Sequence, residues 1–102
     1  MVKYKYTKLK EIHWEDTDYI LNKPIPISLN KSEFDGLWIA SNRGTNVWAY
    51  GETKEIALKQ FQYYFDVTWK EFVEKDAGFI FEKNEKIKNL MLGYVKEKRR
   101  KK

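Results

Sequence analysis

Apolar and polar side chains alternate at the start of this chain, with Val2, Tyr4 and Tyr6 on one side of residues 2–9 and Lys3 and Lys5 on the other. A period of two is that of a β-strand, and lysines along it mark an edge that resists pairing with other chains. HWEDTDY (13–19) reads as a polar connection. In KPIPISL (23–29), Ile25, Ile27 and Leu29 share one face while Pro24 and Pro26 share the other. Proline lacks the N–H that a ladder needs, so this pair predicts an edge strand, or an extended segment leading into one. Phe34-Asp35-Gly36 supplies a turn. Strands follow over 37–42 and 46–50, around a three-residue hairpin loop, Arg43-Gly44-Thr45. That loop sets Asn42 opposite Asn46, Ala40 opposite Trp48 and Trp38 opposite Tyr50, with Leu37, Ile39, Val47 and Ala49 on the reverse. Both faces of the hairpin are then apolar, and one is strongly aromatic.

The period changes after Gly51. Thr53 is a good helix N-cap, because its hydroxyl accepts a first-turn N–H, and Glu55 suits the positive end of the helix dipole. Ala57, Phe61, Tyr64/Phe65, Thr68/Trp69 and Phe72 follow a helical rhythm to about Lys75, and Ala77-Gly78 stops it. Phe79–Glu82 reads as a short strand. Asn84 then caps a second helix whose stripe is Ile87, Leu90, Met91, Tyr94 and Val95. The pattern predicts one α+β domain over residues 1–95. It has a mainly antiparallel sheet of three to five strands, a long helix on one face and a second, C-terminal helix.

Composition narrows the chemistry. The 102 residues are 42% hydrophobic and contain no cysteine, so a single core suffices and thiolate, disulfide and zinc–cysteine chemistry is excluded. The N-terminus has no apolar run of a signal peptide, and no stretch is long enough to span a bilayer, which predicts a cytoplasmic protein without membrane contact. The formal charge of +5 resides in the last seven residues, KEKRRKK; residues 1–95 hold 14 bases and 14 acids. A neutral body with a basic tail over 96–102 is therefore expected. Lysine outnumbers arginine 17 to 3, which favours phosphate contact over base reading.

Trp38-Ile39-Ala40 in the hairpin, followed by Gly51-x-Thr53, Glu55 and Ala57 at the helix entry, resembles the HicB-like antitoxin family over roughly residues 25–75. Two features differ from that family. Asn42-Arg43-Gly44-Thr45 replaces its proline- and glycine-containing loop, and the residues after Gly78 have room for one strand and one helix but not a complete DNA-binding module. The resemblance implies DNA autoregulation together with a body that neutralises a small double-stranded-RNA-binding-domain-like ribonuclease; without a complete module, only the neutralising body is expected here.

Catalytic constellations are sparse. His13, the only histidine, has Glu15, Asp16 and Asp18 nearby, as a polar loop would also supply. Asp16-x-Asp18 lacks the remainder of a calcium loop, and there is no phosphate-cradling glycine loop. No enzyme activity, metal or cofactor is expected. The residues expected to bind a partner are Trp38, Trp48 and Tyr50, on a face that a single helix leaves to the 84–95 helix, a second subunit, a partner protein or stacked bases. Lys98, Arg99, Arg100, Lys101 and Lys102 form an alternative, phosphate-binding site that would make this a nucleic-acid-binding protein. A third possibility is a plain homodimer.

Overall fold

The computed structural model describes residues 3–75 and 82–100. A long hairpin of β1 (Lys3–Trp14) and β2 (Thr17–Lys31) is followed by a short one of β3 (Trp38–Asn42) and β4 (Val47–Gly51). Helix α1 (Lys54–Trp69) ends in a single π-helical turn, Lys70–Glu74, and α2 (Glu82–Tyr94) runs into β5 (Val95–Arg100). The five strands form one antiparallel sheet in the order β1-β2-β3-β4, with β5 also on β2. This is the α+β architecture that the hydrophobic pattern predicts. Among the described residues, no helix is long and apolar enough to cross a membrane.

Several elements differ from their expected form. The polar stretch 13–19 is strand on both sides of a tight turn at Glu15-Asp16, because Ile12 and Tyr19 are cross-strand partners in the core. β2 is not an edge but the central strand of the sheet. β1 takes one side of it, while β3 (at Ser28–Lys31) and β5 (at Thr17–Leu21) share the other. Pro24 and Pro26 fall in the gap between β3 and β5, where no ladder asks for their missing N–H. Their effect is local, which is why a central strand tolerates them. Phe79–Phe81 and the Ala77-Gly78 stop lie outside the described residues, but Glu82 is helical and Asn84 is inside α2 rather than capping it. The basic segment is strand through Arg100, paired with the first residues of β2.

Both helices contribute to one core. From α1 come Ala57, Phe61, Phe65 and Trp69, at the spacing the sequence predicts, and from α2 and β5 come Ile87, Met91 and Val95. Leu90 is not part of that stripe and stays exposed. Thr53 caps α1 as expected, its Oγ1 accepting the Ile56 N–H at 3.1 Å. One buried polar link ties β2 to α1: the Tyr19 hydroxyl donates to Asp66 Oδ1 at 2.5 Å, and Lys70 Nζ pairs with Asp66 Oδ2 at 3.0 Å. Burial, then the Asp66 carboxylate, holds the Tyr19 phenol far above its usual range.

Candidate functional site, an open sheet face and an unpaired edge

The short hairpin decides what the sheet presents. Asn42 pairs with Val47, Ala40 with Ala49 and Trp38 with Gly51, while Ser41 pairs with Trp48 and Ile39 with Tyr50. The loop therefore has four residues, Arg43–Asn46, and the register is one residue away from the expected one. Asn42 causes the shift. Its buried Oδ1 accepts from the Thr45 N–H at 2.9 Å and the Thr45 hydroxyl at 2.8 Å, and its Nδ2 donates to Pro26 O at 2.9 Å. Asn46, with φ of 59°, takes the left-handed position that closes the loop. In a strand a one-residue slip moves every side chain to the other face.

The slip separates the three expected partner-binding residues. Trp38 lies on the helix-covered face, half-buried beneath Lys54, whose Nζ is 5.3 Å from the ring centre. Trp48 and Tyr50 remain on the opposite face. Each is 49% exposed, and their rings meet edge to face at 5.0 Å. Neither helix covers them.

Cross-strand registers extend this face over three further strand positions. One row runs Tyr6, Ser28, Ser41, Trp48, and the next contains Asn30, Ile39 and Tyr50. Small polar residues thus form a floor between the exposed Tyr6 on one side and the Trp48–Tyr50 pair on the other. Tyr6, Ser28, Asn30, Ser41 and Arg43 line a hollow of about 470 Å³. In its floor the buried Asn30 Oδ1 has no hydrogen-bond donor among the described residues, and an unmet buried acceptor is costly to the free protein. Tyr6 and Asn30 were not foreseeable as site residues, because their place beside Trp48 and Tyr50 depends on pairing between distant strands.

A second feature adjoins this face. Among the described residues nothing pairs with the outer edge of β4, and α1 runs beside it with Ile56, Gln60, Tyr64 and Thr68 at one-turn intervals. Edge and helix border a groove of about 700 Å³, which Leu37, Trp48 and Tyr50 also line. Ile56 and Tyr64 are 43% and 45% exposed, so the groove is apolar and open.

Among the other candidate groups, His13, Lys98 and Arg99 are engaged in internal contacts. His13 Nδ1 lies 2.5 Å from Asp18 Oδ1 and Nε2 lies 2.9 Å from Glu11 Oε2. Hydrogen bonding to Asp18, then to Glu11, raises its pKa, and both ring nitrogens face carboxylates. Among the described residues, no group of three or more His, Cys, Asp and Glu side chains is placed to hold a metal. In the basic segment, Lys98 Nζ donates to Glu74 Oε2 at 2.6 Å and Arg99 pairs with Glu97 at 3.1 Å. Arg100 is exposed, and Lys101 and Lys102 lie outside the described residues. Compared with family models, curated proteins and solved structures, the chain matches none.

Proposed function

We propose that this chain is a non-enzymatic protein-binding module of the HicB-like antitoxin type. Its open sheet face receives a small ribonuclease and occludes the active or RNA-binding surface of that partner. The observation that carries the binding reading is the half-exposed Trp48–Tyr50 pair on a sheet face that neither helix covers. Each ring leaves on the order of 100 Å² outside the fold, and covering it would contribute roughly 2–3 kcal/mol. The unmet Asn30 acceptor at the same place supports a partner that brings a hydrogen-bond donor. The nature of the partner rests on the resemblance over residues 25–75, whose Gly51-x-Thr53 helix entry sits at the end of β4.

The test is capture of partners from lysate of the native cell by the tagged protein, with and without nuclease, followed by a ribonuclease assay on what is retained. A stoichiometric small protein that survives nuclease, and whose ribonuclease activity the chain suppresses, is the expected result. Trp48→Ala/Tyr50→Ala should weaken that complex by about 30-fold or more while leaving circular dichroism unchanged. Retention of nothing but nuclease-sensitive, salt-labile material would overturn the reading and favour the basic segment as a nucleic-acid site.

A further inference from the structure

We propose that two copies of this chain pair through β4, antiparallel about a two-fold axis at Ala49, and so join their sheets into one. The proposal deepens the protein-binding reading, because the axis brings Trp48 of each copy beside Tyr50 of the other on the open face.

The direction of the backbone groups follows from proline. Pro26 stands opposite Lys8 in β1 but has no N–H, so that pair is one of the non-bonded ones, and Pro26, Ser28 and Asn30 aim their backbone groups at β3. Alternation then carries across the sheet. Ser28 bonds Ser41, so Ala40 and Asn42 aim at β4 and meet Ala49 and Val47. That leaves the N–H and C=O of Trp48 and Tyr50 on the outer edge, with nothing among the described residues paired to them. An antiparallel copy centred on Ala49 sets Trp48 against Tyr50 and Tyr50 against Trp48, so all four outward groups of each strand are bonded at once.

Charge selects the second copy as the occupant. Identical strands place like residues near one another across the axis, so a strand can pair with its copy only where it carries no concentrated charge. β1 carries Lys3, Lys5, Lys8 and Lys10, and β5 reads VKEKRR; both are protected in this way. β4 reads VWAYG, without charge, proline or bulge. The first acid beyond it, Glu52, falls opposite Asn46 of the copy, a neutral amide that can donate to it. The flanking helix stripe, Ile56, Gln60, Tyr64 and Thr68, is likewise uncharged, and in the pair it lies along the same seam.

Sedimentation equilibrium of the full chain from 5 to 200 μM, in units of the 12.4 kDa protomer, tests the proposal. The wild type should sediment at twice the protomer mass. Tyr50→Pro removes an outward N–H but no bond to β3, and should be monomeric with unchanged circular dichroism. If that variant fails to fold, Ile56→Lys/Tyr64→Lys alters only exposed helix positions and should raise the dimer Kd at least tenfold. A wild type that remains monomeric at 200 μM overturns the proposal, as does a dimer that survives these changes in folded protein. A monomer that still captures its partner through Trp48 and Tyr50 removes the dimer and leaves the proposed function intact. A β4 dimer that captures nothing does the reverse.

Discussion

Asn42 and Gly51 sit at opposite ends of the short hairpin, and each controls more than its own position. Asn42 makes three hydrogen bonds, two to Thr45 and one to Pro26 O, from a site that is only 4% exposed. Asn42→Ala leaves Thr45 and Pro26 O without these partners, and should cost about 2–3 kcal/mol, read as a lowered urea midpoint with unchanged m-value. A Cβ on Gly51 would come within 2.3 Å of Ala57 N and 2.7 Å of Ile56 C. These are backbone atoms in the first turn of α1 and cannot step aside as a flexible side chain could. Gly51→Ala should therefore destabilise at the upper end of about 1–3 kcal/mol, which thermal unfolding would show. The glycine and Thr53 were legible as a helix entry from their spacing. That the helix folds back hard against Gly51 was not, since it depends on where α1 docks.

At the scale of elements, the helices were the easiest to read and the strand order the hardest. Period and capping are local, so α1 and its buried stripe Ala57, Phe61, Phe65 and Trp69 follow from spacing alone. Strand position is non-local. Pro24 and Pro26 correctly announce an unpaired flank, but only the three-way pairing of β2 shows that flank to be a gap inside the sheet. β5 is the clearest case of a segment whose composition misleads: five charged residues in six suggest a solvated tail, yet Val95 is buried and Lys98 reaches Glu74. Glu74 also accepts the Trp69 Nε1–H at 3.1 Å, from the π-helical turn that ends α1. The Lys98 bond is the main cause of a Glu74 pKa below its ordinary 4.5. A depressed carboxylate stabilises the fold fully above its unfolded value and loses that contribution as pH falls through the lower folded value. Between pH 6 and 3, β5 should loosen, and Glu74→Gln should show the loosening already at pH 7 without the acid limb. Amide exchange over Val95–Arg100, corrected for intrinsic rates, would report both; solvent exposure of the pair keeps the change below about 1 kcal/mol.

For the whole molecule, the governing fact is that both helices feed one core and leave the other side of the sheet open. Of the four tryptophans, Trp48 is the one classed as exposed; Trp14 and Trp38 are half-buried and Trp69 is buried. Its fluorescence should shift to shorter wavelength when the open face is covered, in the wild type but not in a folded Trp48→Phe variant. The sequence by itself determined the α+β class, the two helices, the capped entry to α1 and the aromatic character of the β3–β4 hairpin, because these depend on residues within a few positions of one another. Tertiary structure alone decided the hairpin register, the parting of Trp38 from Trp48 and Tyr50, the recruitment of Tyr6 and Asn30 to the open face, and the bare edge of β4. The register rests on Asn42, which bonds Thr45 three residues away as well as the distant Pro26 O; the others depend on pairing or packing between segments far apart in the chain. A strand's side chains alternate so strictly that one bonded side chain, Asn42, is enough to exchange its faces.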